Sequence, residues 1–432
     1  MSVDGSSPRE LPARDRGHSP RDQPGLRRAN LALVLRALRE HGPHSRAGLS
    51  RLTGLNKATT SSLVAELEQR RLVRLGDAVP NQFGRPGHLV ELRPAAVCGI
   101  GLEVNVDYLA VAVVDLPGNL VEHRRIAADV VALGQDRALD RLAELAEHGL
   151  AHVRGLAGWV SGITAAVPAL VDSDNGVVRF APNLGWRELP VVEGLARRLG
   201  LPADQLGVHN DANLSALAEY AHGVAAGSGD LLYLTGEVGV GGGVIAGGQL
   251  LRGATGFTGE VGHMPLDPTG TPCGCGRRGC WETQVGLAAL LRAVGGPDDE
   301  VTDPSLDLEG RLAVVKGRAE AGDPRTLAAL RQIGSALGVG ASILVNVLNP
   351  TAVVLGGYFA TLGEWLVEPA LAELSGRVLA PERGGCALVL SDLGFTAAVR
   401  GGGYAALERV FDDPTLVPPG DSPGAGPGEG AR

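Results

Sequence analysis

The 432 residues carry a net charge of −9 and are 44% hydrophobic but only 3% aromatic, which predicts two to three domains with cores of Ala, Leu, Val and Gly. No apolar run reaches about 18 residues without charges or turn formers, and the charged N-terminus lacks the apolar stretch of a signal peptide. These features argue against a membrane or secreted protein and for the cytoplasm. The charge is uneven: residues 1–90 hold 15 Lys and Arg against 8 Asp and Glu, whereas the remainder holds 24 against 40. A basic head on an acidic body suits a polyanionic partner.

Residues 1–25 and 413–432 are rich in Pro, Gly, Ser and charge without hydrophobic periodicity, and both are expected to be disordered tails. Between residues 26 and 93 the pattern predicts three helices and a hairpin. Leu31, Leu33, Val34, Leu35 and Leu38 form the stripe of a first helix that Gly42-Pro43 ends. Ser45 is a good cap for a short second helix, Arg46 to Thr53, and Gly54 makes the turn. A third helix over Asn56 to Arg70 packs Leu63, Val64 and Leu67 inward and leaves Asn56, Lys57, Thr59, Thr60 and Ser61 outside. Strands over 72–75 and 89–92 follow, with Gly84-Arg85-Pro86 in their loop. This order is that of a winged helix-turn-helix. Ser45, Arg46, Asn56, Lys57, Thr59, Thr60 and Ser61 are candidate contacts to a DNA major groove, and Arg85 to the flanking minor groove. A helical protein-interaction module with solvent-facing hydroxyls is the alternative.

Arg93-Pro94-Ala95 reads as a linker, after which strands and helices alternate from 94 to 412 in two α/β lobes, about 94–215 and 216–412. The second lobe holds the most specific stretch of the chain. Gly259-Glu260-Val261-Gly262-His263 precedes Cys273-Gly-Cys275-Gly-Arg-Arg-Gly-Cys280-Trp-Glu282. One imidazole and three thiols, His263, Cys273, Cys275 and Cys280, make the closed ligand set of a structural Zn²⁺. A disulfide with a spare thiol fits less well, because the nearest other cysteines are remote in sequence.

Glu-x-Gly-His followed by Cys-x-Cys-Gly-x-x-Gly-Cys-x-Glu resembles the signature of the ROK family, which groups bacterial sugar kinases with sugar-responsive repressors. The resemblance covers roughly residues 25 to 411, and the segments 45–55 and 84–86 are similar to the N-terminal domain of the family's repressors. It implies a winged helix-turn-helix followed by a two-lobed actin/hexokinase-like (ribonuclease H-like) body with a sugar cleft. On that resemblance the sugar contacts are Asn183, Asn210, Asp211, Glu260, His263 and Glu282, with His263 serving both zinc and sugar and Asp211 standing at the kinases' catalytic base.

The phosphate-binding residues of the kinases are missing. Where the family has Asp-x-Gly-Gly-Thr the chain has Gly101-Leu-Glu103-Val-Asn105, and its second loop begins Glu237-Val238 in place of Gly-Thr. An anionic Glu and a hydroxyl-free Val do not cradle a polyphosphate. The remaining glycines of that loop, Gly239 and Gly241 to Gly243, are expected to preserve a sheet turn. The sequence therefore predicts no catalytic residue. It predicts a regulator of carbohydrate-utilisation genes that binds operator DNA and a sugar or sugar-phosphate effector as a homodimer or homotetramer. The runner-up is an ATP-dependent sugar kinase with an accessory DNA-binding domain, and a third reading is a sugar-sensing scaffold that binds protein through its head.

Overall fold

A computed structural model describes residues 23–79, 87–296, 298–303 and 306–420. Its first helix, α1 (Gln23–His41), turns Leu31, Val34, Leu35 and Leu38 inward at helical spacing and is followed by Gly42 at φ 74°. Leu33 was expected in that stripe but is 42% exposed, because it falls off the i, i+3, i+4, i+7 row. After the short strand β1 (His44–Ser45), Ser45 Oγ accepts the Gly48 N–H at 3.1 Å and caps α2 (Arg46–Thr53). Gly54, at φ 71°, turns the chain toward α3 (Lys57–Gln69), where Asn56 Oδ1 accepts the Thr59 N–H at 2.9 Å. The wing pairs β2 (Val73–Val79) with β3 (Gly87–Leu92), and β1 adds to the far edge of β3.

The first lobe starts with an antiparallel meander, β4 (Val97–Val104), β5 (Tyr108–Asp115) and β6 (Leu120–Ala127). Helix α4 (Val130–Gly155), broken at Gly134, leads to β7 (Trp159–Val167). A small sheet of β8 (Leu170–Asp172), β9 (Val177–Ala181) and β10 (Trp186–Leu189) comes next, then α5 (Val191–Leu199), β11 (Leu206–Asn210) and α6 (Asp211–His222). The second lobe contains β12 (Leu231–Gly236), β13 (Val240–Ala246), β14 (Gln249–Leu250), α7 (Glu282–Val285), α8 (Leu287–Val294), α9 (Leu308–Glu320) and α10 (Pro324–Leu348). It closes with β15 (Ala352–Gly357), α11 (Tyr358–Thr361), α12 (Gly363–Arg377), β16 (Ala387–Leu390) and α13 (Ala397–Asp412).

The two main sheets run β11-β7-β4-β5-β6 and β14-β13-β12-β15-β16. Counted within its own lobe, each is the same five-stranded arrangement: an antiparallel meander extended by two parallel strands. Helix α10 is long and apolar enough to cross a membrane by length and composition alone. Its Leu330, Ile333, Leu337 and Ala341 are buried in the core of the second lobe, against α12 among others. That apolarity serves the core.

Three expected boundaries shift. Residues 23–25 belong to α1, and 413–420 continue from α13 through a 3-10 turn (Pro414–Leu416) to a buried Val417. Arg70 donates to the Val417 carbonyl at 2.7 Å and the Gly420 N–H donates to Gln69 O at 2.7 Å, so this segment straps the head to the body. The remainder of both expected tails, 1–22 and 421–432, lies outside the described residues. Helix α13, expected in the second lobe, packs on the first. A Cβ added at Gly101 would stand 1.7 Å from Val399 O, and one at Gly401 would stand 2.0 Å from Leu214 O, so these glycines permit α13 to lie against β4 and α6.

The expected linker is also pinned. The Arg93 N–H donates to Leu72 O at 3.0 Å and the Ala95 N–H to Asp115 Oδ2 at 3.1 Å. One apolar cluster contains Leu35, Leu63, Leu67 and Leu72 of the head together with Val97, Val114, Leu407 and Phe411 of the body. Head and body share a core, and tilting one disturbs the other.

Candidate functional site

On the head, Asn56, Lys57 and Ser61 are exposed around the start of α3, while Ser45, Arg46 and Thr59 are half-buried. The Ser45 and Asn56 oxygens are already engaged as caps. Thr60 is a correction. Its side chain is fully buried and its hydroxyl donates to Asn56 O at 3.0 Å, so it braces the helix start and cannot touch DNA. Ser62, left out by the sequence pattern, is exposed beside Ser61. Arg85 lies outside the described residues.

All six predicted sugar contacts line one cavity of about 580 Å³ between the lobes. Asn183 comes from the turn between β9 and β10. Asn210 ends β11 and caps α6, its Oδ1 accepting the Asn213 N–H at 3.0 Å. Its Nδ2 donates to Asp211 Oδ1 at 3.0 Å and to Ala169 O at 3.3 Å, so Asn210 is occupied in holding Asp211 toward the cavity. Glu260 follows Gly259, whose φ of 104° and close approach to the Gly242 carbonyl leave no room for a side chain. Glu282 opens α7 and accepts from the Cys273 thiol at 2.7 Å.

The four predicted metal ligands converge: the donor atoms of His263, Cys273, Cys275 and Cys280 all lie within 4.8 Å of one another. Cys275 Sγ and Cys280 Sγ are 3.7 Å apart and Cys273 Sγ is 3.7 Å from His263 Nδ1. A tetrahedron with metal–sulfur bonds of about 2.3 Å has edges of roughly 3.5–3.8 Å, so the two separations of 3.7 Å match such edges. They are far too long for a disulfide of about 2.05 Å. His263 Nδ1 faces this cluster while Nε2 lies 3.8 Å from Glu260 Oε2, leaving the second nitrogen on the cavity side.

The far end of the cavity is acidic. Burial pushes the Asp211 carboxyl up to about 6, against the pull of the N–H groups at the start of α6. Burial, and then the charge of Asp211, push Glu237 up to about 7, although Asn105 Nδ2 donates to it at 2.6 Å. Burial, with Asp211 and Glu282 nearby, raises Glu260 to about 7. Glu103 adjoins this group with its carboxyl held well above the ordinary range by burial and by Glu237, and the Tyr108 hydroxyl donates to it at 2.5 Å.

These carboxyls occupy the ground where the sequence lacks its phosphate loops. At Gly101, the expected place of an acid, the neighbouring helix backbone leaves no space for any side chain. Of the glycines expected to form a sheet turn, Gly239 lies in the turn between β12 and β13, whereas Gly241, Gly242 and Gly243 lie in β13, paired to Thr235, Leu234 and Tyr233. An added Cβ at Gly243 would meet Ala212 O at 2.6 Å, so the run permits close packing on α6. Asn105, Arg277 and Arg292 also line the cavity and were missed as contacts, because nothing in their local spacing marks them.

The ROK family profile matches residues 99–409, and the MarR family profile matches residues 29–80. The chain is 31% identical over 395 residues to the xylose repressor of Bacillus spizizenii, covering 90% of this chain and 98% of that one. The crystal structure of a ROK family transcriptional regulator, a homologue of the E. coli Mlc protein, superposes with a TM-score of 0.71 at 25% identity over 90% of this chain and 98% of the other. A ROK family glucokinase from Streptomyces griseus, solved with glucose and AMPPNP, gives 0.62 at 28% identity, covering 72% of this chain and 99% of the kinase.

Proposed function

The chain belongs to the ROK family, as a sugar-responsive transcriptional repressor with a MarR-type winged helix-turn-helix, and we propose that its kinase-like body works as an effector sensor without phosphoryl transfer. The observation that carries this reading is the pair Asn105 and Glu237, one from each lobe, joined at 2.6 Å in the place where the kinase loops of the family would meet phosphate. Asp211 then has no phosphoryl donor to act with, and its remaining use is to accept a hydrogen bond from a ligand hydroxyl.

In this reading Asn183, Asp211, Glu260, Glu282 and His263 Nε2 match sugar hydroxyls, Asn210 orients Asp211, and His263 Nδ1 with Cys273, Cys275 and Cys280 holds a structural Zn²⁺. The metal, when bound, would fix the loop between Glu260 and Glu282; the sugar contacts themselves come from the protein. Sugar bridging the two lobes favours one lobe spacing, and the ligand acts only through its different affinity for the two spacings. Helix α13 spans the first lobe and the head, so a change in lobe spacing reaches α1 through packed contacts. Lys57, Ser61, Asn56 and Arg46 would meet the operator, with Arg85 from the wing, in a cytoplasmic homodimer or homotetramer whose two heads read paired half-sites.

The test is a pair of assays on the full chain: DNA binding with and without sugar, and ATP consumption with sugar. Sugar-dependent ATP turnover in the usual kinase range of about 1–100 s⁻¹ would sink the sensor reading.

A further inference from the structure

We propose that the effector is an uncharged sugar and that Glu237 is the residue that excludes sugars phosphorylated on the carbon facing Asp211. This inference rests on the reading of the cleft as the sugar site and narrows its ligand class.

A phosphate ester needs cations or a nest of free N–H groups. Near Asp211 the N–H groups at the start of α6 are already turned to its own carboxylate, and no Lys is among the described residues that line the cavity. Asp211 and Glu237 both line it, and the buried Glu103 carboxyl adjoins them with its Oε2 unpartnered. Gly241 to Gly243, where an anion-binding loop would need free N–H groups, are committed to the β12–β13 ladder. The Arg125 guanidinium, whose charge reaches Glu237 and Glu103, is already engaged: it pairs with Glu309 and lies 3.7 Å from the centre of the Tyr108 ring. Arg277 and Arg292 also line the cavity, but they come from the metal loop and from α8 and are exposed, so they serve its mouth.

A hydroxyl at the same place meets a different environment. It donates to Asp211 or Glu237 and gains a charge-assisted bond, or accepts a hydrogen bond from whichever carboxyl is neutral. The site thus favours a hydroxyl at the position where a terminal phosphate dianion would face two or three carboxyls. Asn105 keeps Glu237 pointed at this spot, since its Nδ2 donates to Oε2 and its Oδ1 accepts the Val106 N–H at 2.7 Å.

The experiment is isothermal titration of the full chain at pH 8, where Asp211 and Glu237 are ionised, with D-xylose, D-glucose and N-acetyl-D-glucosamine, each beside the ester carrying phosphate on its terminal carbon. The expected result is that at least one parent sugar binds and its phosphate ester binds about a hundredfold more weakly, as expected for a dianion near unpaired carboxylates. Glu237→Gln, which keeps the shape and removes the charge, should narrow that gap by about tenfold, while Glu237→Asp should keep it. A phosphate ester that binds wild type as tightly as its parent, or a gap unmoved by Glu237→Gln, overturns the inference and leaves the sugar site standing. If none of the sugars or esters binds, the sugar reading itself falls and this inference with it.

Discussion

The Arg39 guanidinium of α1 lies 4.1 Å from the centre of the Phe411 ring on α13 and pairs with Glu408 one turn earlier on the same helix. Farther back, α13 presses its glycines onto β4 and α6, and α6 begins with Asp211. One continuous set of packed helices thus runs from the effector cleft to the DNA-binding head. Phe411 is 2% exposed, and Phe411→Ala should cost about 3–5 kcal/mol of stability by opening a cavity at this joint. It should also uncouple the response: sugar affinity stays within about twofold, because Phe411 is far from the cleft, while the sugar-induced change in operator affinity shrinks. Denaturant melts and paired sugar and DNA titrations measure both effects.

For the metal, protein purified without chelator should carry about one Zn²⁺ per chain by elemental analysis. Cys275→Ser removes a ligand without touching the cavity's carboxylates, and it should lose metal and weaken sugar binding together, since Glu260 and Glu282 flank the same loop. Sugar affinity that survives complete loss of metal would show that the loop holds its shape without it.

The acidic end of the cleft should make stability fall as pH rises. Burial and the charge of Asp211 lift Glu237 to about 7 in the folded chain, and burial lifts Asp211 to about 6. Between the ordinary carboxylate range and these values the folded state holds more protons than the unfolded one. The advantage is present at low pH and is lost as pH climbs through about 6 to 7. Asp211, Glu103, Asp107 and Arg125 are the charges that face Glu237. Glu237→Gln should therefore raise the melting temperature at pH 8 and leave it nearly unchanged at pH 5. An equal gain at both pH values would mean that Glu237 keeps its ordinary titration.

On the head, Lys57→Ala should weaken operator and unrelated DNA alike and lower the salt slope by about one, the mark of a lost phosphate contact. Thr60→Ala should instead cost about 1 kcal/mol of stability through the lost hydroxyl bond to Asn56 O, with the salt slope unchanged. Salt-dependent anisotropy titrations separate the two.

Local signals carried much of this far. Ser45, Asn56 and Gly54 mark helix ends by their own chemistry, and the Cys-x-Cys-x₄-Cys spacing names its ligands without help from the fold. What stayed hidden depends on distant partners. Thr60 looks polar and exposed until its hydroxyl is seen bonded to the backbone four residues back. Gly241 to Gly243 look like a loop until α6 is found pressed against Gly241 and Gly243, and the chain at Gly259 to Val261 against Gly242. The segment 413–420 has no periodicity to read, because its order comes from Arg70 and Gln69 of another domain. The repeated strand order of the two lobes leaves no short period in the sequence either, since it is a likeness of topology.

The most direct test of a sugar-sensing, non-catalytic repressor is one titration: the full chain on the DNA flanking its own gene, followed by anisotropy with and without a neutral sugar. Binding should be tight, with an affinity that shifts by roughly 5- to 150-fold with sugar, the usual span of allosteric coupling, and Asp211→Ala should abolish that shift while DNA binding without sugar persists. DNA binding indifferent to every neutral sugar, or a sugar shift untouched by Asp211→Ala, would contradict the sugar-sensing reading.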